Sequence, residues 1–306
     1  MARSSRSSDL TASTGRSGDH PRTGAAGARR VPNALTLAGV DPSGGAGVLA
    51  DVKTFSALGA FGCAVICALT AQNTCAVTGI HGVPAAFIRQ QIDTLLADVA
   101  IAAAKIGMLG SADSTRAVAD ALAGPIAAGA LPHRVLDPVM VAKSGDRLLE
   151  PDAVGMLIDA LLPLATVITP NLPEAGVLLD ARPPDTVAEM RRAAERLRRL
   201  LADDGGRWVL VKGGHLSGDP IDLLHDGDRM IELPAQRIAT RNSHGTGCTL
   251  SAAIAALLPQ RPDVPAAVAD AKRYLSGAIA AADLLSVGRA GQGHGPVHHF
   301  YHLWRN

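Results

Sequence analysis

From Val31 onward, short runs of β-branched and apolar residues alternate with stretches in which apolar positions recur every three or four residues. Residues 33–40 predict a strand that ends in the loop Asp41-Pro42-Ser43-Gly44-Gly45-Ala46-Gly47, and a helix follows from about 46 to 58. Further strands are predicted at 64–69, 103–108, 135–136, 167–168 and 208–211, with helices at 85–99, 111–123, 151–162 and 185–202 between them. In the last of these helices Met190, Ala194, Leu197 and Leu201 form one apolar stripe, as on a surface helix. Two short β segments at 221–225 and 229–233 flank Asp226-Gly227-Asp228, a hairpin signal. An Ala/Leu-rich run from Cys248 to Leu258 and a long segment from about 264 to 285 complete the helices. Strand and helix in alternation predict an α/β fold, a mostly parallel sheet covered on both faces.

Ligands of such sheets bind outside the carboxyl ends of the strands. The polar and glycine-rich segments fall there: 41–47, Gln72-Asn73-Thr74, Gly107-Met108, Asp137-Pro138-Val139, Thr169-Pro170-Asn171 and Lys212-Gly213-Gly214-His215. One more stretch, Asn242-Ser243-His244-Gly245-Thr246-Gly247-Cys248, places two glycines just ahead of a helix. Glycines let the backbone curl so that amide N–H groups converge, and the helix dipole adds positive potential at the same point. The product is an anion hole suited to phosphate. No Walker A string occurs, and Gly44-Gly45-Ala46-Gly47 lacks the spacing of a dinucleotide fingerprint.

Composition narrows the choice. The chain has 306 residues and a formal net charge of +1, with only eight aromatic residues (four Phe, two Trp, two Tyr). This argues against a nucleic-acid surface built on basic stripes and stacking rings. No apolar run reaches the roughly 18 residues of a membrane-spanning helix. The first thirty residues hold six arginines, two aspartates and almost no large apolar side chain, which predicts a disordered basic tail (1–30) ahead of one domain (31–306). Cys63, Cys67, Cys75 and Cys248 match no zinc spacing, and a reducing cytoplasm is the expected setting.

Seven strings in order carry a resemblance. They are Ala38-Gly39-Val40-Asp41-Pro42-Ser43-Gly44-Gly45-Ala46-Gly47, Ala71-Gln72-Asn73-Thr74, Lys105-Ile106-Gly107-Met108, the run from Asp137 to Asp146, Thr169-Pro170-Asn171-Leu172-Pro173-Glu174, Val211-Lys212-Gly213-Gly214-His215 and His244-Gly245-Thr246-Gly247-Cys248. Together they resemble the hydroxymethylpyrimidine/phosphomethylpyrimidine kinases of thiamine biosynthesis, from about Asn33 to Phe300. The resemblance implies a ribokinase-like three-layer αβα fold with a small β flap. It also implies transfer of phosphoryl groups from ATP, with magnesium, to an aminopyrimidine alcohol and then to its monophosphate. Relatives are commonly homodimers.

On that template the amides of Gly245, Thr246, Gly247 and Cys248 would hold the transferring group. Cys248 stands where related sugar kinases carry a catalytic aspartate. A helix N-terminus can depress a thiol pKa, so Cys248 is expected to serve as base or to align the acceptor oxygen. Asn171 and Glu174 form the Asn-x-x-Glu pattern that orders magnesium and phosphates, with Asp137 as second carboxylate and Lys212 neutralising phosphate oxygens. For the pyrimidine, Asp51 shares an apolar helix stripe with Val48, Val52 and Phe55, so it must be paired or face a ligand, and is expected to accept from the 4-amino group. Gln72 suits an aminopyrimidine edge, and Gly39, Met108 and Val139 would line the ring. The rivals are a pyridoxal or pyridoxine kinase and a sensor that binds the pyrimidine without turnover.

Overall fold

The computed structural model describes residues 30–140, 151–289 and 291–304, and within them the apolar runs assemble into a nine-stranded sheet. Its strands are β1 (Asn33–Val40), β2 (Phe61–Gln72), β3 (Val77–Gly82), β4 (Ala103–Ile106), β5 (His133–Leu136), β6 (Val167–Ile168), β7 (Trp208–Val211), β8 (Ile221–His225) and β9 (Met230–Pro234). They lie in the order β3-β2-β1-β4-β5-β6-β7-β8-β9. The six from β2 to β7 in that order run parallel; β3 pairs antiparallel with β2 at one edge, and at the other β8 pairs antiparallel with both β7 and the edge strand β9. The chain leaves β1 toward β2 on one side and returns to β4 on the other, so the strand order reverses at β1/β4. That is where a crevice opens in sheets of this kind.

Alternation along each strand sorts side chains between two helical layers. Leu35, Leu37, Ile106, Leu136 and Val209 join one core with α2 (Ala85–Leu96), α3 (Ala112–Ala127), α4 (Pro151–Met156), α5 (Leu172–Leu178) and α6 (Val187–Arg198). Ala34, Ala103, Val135, Trp208 and Leu210 join the other with α1 (Gly47–Ala57), α7 (Thr246–Leu257) and α8 (Val264–Ala280). Thr36 and Lys105 fall on the α1/α7 side of the sheet, and both are fully buried. Two polar positions at the centre of an apolar strand face are costly unless paired.

The three-layer αβα architecture and mostly parallel sheet agree with expectation. The Asp226-Gly227-Asp228 hairpin is present, with Gly227 at φ +113° and β9 starting at Met230. Two elements differ. Strand β3 pairs antiparallel with the end of β2, but it is nearly all exposed and so carries no apolar alternation to read. The seven-residue helix α5 hides behind Asn171-Leu172-Pro173-Glu174, which the strand pattern absorbed as loop. The final helix stops at Ala280 and ends in a 3₁₀ turn at Ala282–Leu284. The expected basic tail at 1–29 and the part of the Asp137–Asp146 string from 141 onward lie outside the described residues.

Candidate active site

At the β1/β4 reversal the carboxyl ends of the strands and the start of α7 enclose a cavity of about 470 Å³. One wall comes from the ends of β1, β2 and β4. The Gly39 amide donates to the Met108 carbonyl at 3.0 Å, and a Cβ on Gly39 would lie 2.9 Å from the Met108 sulfur. Bare glycine therefore lets Met108 lie against the end of β1. Gln72 is half-buried and accepts from the Thr70 hydroxyl at 3.1 Å, which leaves its amide nitrogen to donate. Val139 borders the same space.

The opposite wall is the α7 terminus. Gly245, its N-cap, is left-handed at φ +74°, and no side chain caps the helix. By contrast, Ser111, Asn171, Thr186 and Asp263 side chains cap α3, α5, α6 and α8. The first amides of a helix have no intrahelical partner, so the uncapped start of α7 presents donors at Thr246, Gly247 and Cys248, all bordering the cavity.

Charged groups gather next to it. The Lys212 ammonium donates to Asp137 at 3.1 Å and lies 3.9 Å from Glu174. A Cβ on Gly247 would sit 3.3 Å from that ammonium. Burial works against the Lys212 charge, but Asp137 and Glu174 outweigh it and raise its pKa. Burial likewise opposes ionised Asp137, yet Lys212 and Lys105 pull its pKa below the ordinary value. Asp137 also accepts from Thr169 (3.1 Å) and Ser251 (3.2 Å). Glu174 and Asn171 close a reciprocal capping box at 2.8 and 2.9 Å. Burial pushes the Glu174 carboxyl up to about 7.

Two expectations need correction. Asp51 does not border the cavity; it is fully buried and bonded to the Lys105 ammonium at 2.8 Å and the Thr36 hydroxyl at 2.6 Å. The sequence argument that it must be paired or face a ligand resolves to pairing, and its partner Lys105 takes the place at the cavity. Cys248 is not depressed by the helix terminus. Burial drives its thiol up to about 11, against the pull of Lys105 and the Gly47 amide.

Sequence reasoning passed over Lys105, although a charge inside the strand Ala103-Ala104-Lys105-Ile106 was a visible signal. It also missed the bond between His244 Nε2 and Asp41 Oδ2 at 2.7 Å, which joins loops 203 positions apart. Burial raises Asp41, but bonds from His244 and Ser43 outweigh it and hold the carboxyl below its usual range. Gly245 and Gly45 meet at the same seam.

A larger, open groove of about 810 Å³ lies at the opposite end of β7, among Arg198, Trp208 and Arg229. At its centre Arg229 pairs with Asp226 at 2.8 Å and stacks on Trp208. The smaller cavity, where polar groups converge, is the site. No group of three or more His, Cys, Asp or Glu converges as a metal cage among the described residues.

Comparison with known proteins gives this geometry a family. The profile described as phosphomethylpyrimidine kinase matches residues 41–298, which spans both walls of the cavity. The chain belongs to that family. The kinase is 51% identical over 276 residues to the hydroxymethylpyrimidine/phosphomethylpyrimidine kinase of Rhizobium meliloti, covering 89% of this chain and 98% of the relative. Among solved structures, it resembles the phosphomethylpyrimidine kinase of Clostridium difficile (38% identity, TM-score 0.70, 82% of this chain and 100% of that one). An ADP complex of Bacillus subtilis pyridoxal kinase is also similar (33% identity, TM-score 0.77, 88% and 98%). The kinase therefore shares its fold with enzymes of both named activities, and its sequence sides with the pyrimidine branch.

Proposed function

We propose that the kinase transfers the γ-phosphoryl group of ATP to 4-amino-5-hydroxymethyl-2-methylpyrimidine and then to the resulting monophosphate, giving the diphosphate used in thiamine biosynthesis. The observation that carries this reading is the juxtaposition in one 470 Å³ cavity of an uncapped helix terminus and a ring-sized wall of Gly39, Gln72 and Met108. The wall orients an aminopyrimidine: Gln72 offers a donor and an acceptor to the ring edge, and Met108 and Val139 supply apolar contact. Phosphoryl transfer asks chiefly for alignment and charge stabilisation. The amides of Gly245 to Cys248 receive the phosphoryl oxygens, and the Lys212 ammonium neutralises charge beside them. Asn171 aids in ordering the phosphates.

Magnesium fits the donor set. Asp137 and Glu174 are hard oxygen ligands, and two carboxylates suffice for an ion that keeps most of its waters. Held there by Asp137 and Glu174, the ion would supply positive charge that offsets the charge developing on the phosphates. A nearby cation would also favour the ionised form of Glu174, whose carboxyl burial raises.

Cys248 is placed to face the hydroxymethyl oxygen, and only its ionised fraction, the thiolate, can take that oxygen's proton as the P–O bond forms, becoming the thiol. Its high pKa means that the resting group is a thiol, which aligns the hydroxyl until transfer is under way. The enzyme is further read as a cytoplasmic homodimer; its four free cysteines suit a reducing compartment.

The test offers the purified protein ATP and magnesium with hydroxymethylpyrimidine, its monophosphate and pyridoxal in parallel. Specificity constants at least tenfold higher for both pyrimidines than for pyridoxal are expected. A pyridoxal preference would move the assignment to the pyridoxal kinases, and pyrimidine binding without turnover would make the protein a sensor.

A further inference from the structure

Strand β8 reads Ile221-Asp222-Leu223-Leu224-His225, and a carboxylate interrupts its apolar run. Asp222 is buried, where an unpaired charge is costly. Both of its oxygens are engaged. Oδ1 accepts from the Gly213 backbone amide at 2.9 Å, and Oδ2 from the Lys272 ammonium of α8 at 2.6 Å. Neither Asp222 nor Lys272 borders the cavity. A buried ion pair is a poor device for stability alone, and leucine at 222 would simply continue the β8 run. The register shows what this pair holds. Strands β7 and β8 match Val209 with His225, Leu210 with Leu224 and Val211 with Leu223, and there the regular ladder ends. One step further, Asp222 stands opposite Lys212. Its side chain takes over from the ladder by accepting the amide of Gly213, the residue after Lys212. On the other side, the Lys212 amide donates to the Pro170 carbonyl at 2.9 Å, just beyond β6. A Cβ on Gly213 would collide with the Ile221 carbonyl oxygen, so glycine is what lets the chain lie this close to β8.

We infer that Asp222, neutralised by Lys272, is a positioning residue that fixes Lys212 at the phosphate wall by holding the Gly213 amide. The inference deepens the proposed function and rests on its reading of Lys212 as the group that neutralises phosphate charge. A lysine is a point charge on a flexible four-carbon stem, so the reach of its ammonium is set by where its backbone is anchored. Here the backbone is clamped between the end of β6 and the Asp222 carboxylate. The charges are sorted to match. Lys272 engages Asp222, while Lys212 lies 3.1 Å from Asp137 and 3.9 Å from Glu174 at the cavity. Without Lys272, Asp222 would face Lys212 across the register as a rival partner for its ammonium.

The test compares two neutral double variants of the full chain, Asp222→Leu/Lys272→Met and Asp222→Asn/Lys272→Met. Leucine and asparagine are close in shape, but only asparagine keeps an acceptor for the Gly213 amide. Both variants are expected to fold, because exchanging a buried ion pair for groups of like volume is nearly neutral. Steady-state kinetics give kcat/KM for ATP with the acceptor alcohol saturating, and KM for that alcohol. The leucine variant is expected to lose about 10- to 100-fold in kcat/KM for ATP, the loss that a shift on the order of 1 Å brings. KM for the alcohol should stay within twofold. The asparagine variant should stay within threefold of the parent throughout. In a Lys212→Gln background the leucine variant should cost less than a further threefold, because the group it acts through is gone. A merely architectural Asp222 would cost its full factor again there. Additive losses in that background, or equal rates in the folded leucine and asparagine variants, overturn the inference. Parental rates in Lys212→Gln alone would refute the reading of Lys212, and the inference with it. The alcohol used is whichever the parent phosphorylates, so a pyridoxal preference would overturn the substrate assignment and leave this test intact.

Discussion

Gly245→Ala is the sharpest perturbation of the phosphate wall. Gly245 is left-handed at φ +74°, a conformation that costs an L-residue roughly 1–2 kcal/mol. The added methyl would lie 1.8 Å from the Gly45 carbonyl oxygen and 3.3 Å from the Ala46 Cα. The first distance is about 1.5 Å short of an ordinary contact, and the obstacle is backbone that cannot rotate away. The 41–47 loop and the 243–247 loop must therefore part by more than about 1 Å, which also stretches the bond from His244 to Asp41. A displacement of that size between reacting groups costs on the order of 100-fold in rate. At roughly 2–4 °C per kcal/mol for a chain of this length, the strain alone lowers Tm by about 5 °C. A coupled ADP-release assay gives kcat, and thermal unfolding gives Tm. If kcat stays within threefold of the parent at an unchanged Tm, the seam between the two loops does not position the transferring group.

Gly247→Val presses instead on the Lys212 ammonium, 3.3 Å from its first methyl position, so turnover should fall at least 100-fold while Tm moves by less than about 2 °C. His244→Asn removes the bond to Asp41 and should lower kcat about tenfold or more, with rates in phosphate and in Tris buffer ruling out salt effects. Glu174 gives a pH test. Its carboxyl is raised to about 7, so the folded chain holds that proton more tightly than the unfolded one. The resulting stabilisation is complete below about 4.5 and is lost as pH rises through 7. Glu174→Gln should flatten that part of the Tm–pH curve in metal-free buffer, and a slope identical to the parent's would refute the assignment.

How much of this the sequence disclosed depended on range. The parallel strands were legible because Leu35, Leu37, Val65 and Ile106 alternate in short apolar runs, and α6 because its stripe repeats at helical spacing. Strand β3 was not, since an exposed edge strand is held by backbone pairing and leaves no apolar trace. The glycine-rich start of α7 announced an anion hole, and the cavity does gather Gly39, Gln72, Met108, Lys212 and Cys248. What failed was the environment of single groups. A helix terminus argues for a depressed thiol, but burial raises the pKa of Cys248, and the charges that act on it, Lys105, Asp51 and Asp137, are all remote from it in the chain. Asp51 failed for a related reason. Its stripe position required a partner, and only the β1/β4 register puts Lys105 within 2.8 Å.

The most direct test of the central claim counts phosphoryl groups. The kinase is incubated with hydroxymethylpyrimidine and excess ATP and magnesium, and the products are followed by mass spectrometry over time. The account predicts a transient monophosphate followed by a diphosphate, both slowed in step by about 100-fold in Gly245→Ala, because one anion hole serves both transfers. A monophosphate that accumulates without further reaction, or no phosphorylated pyrimidine at all, would contradict it.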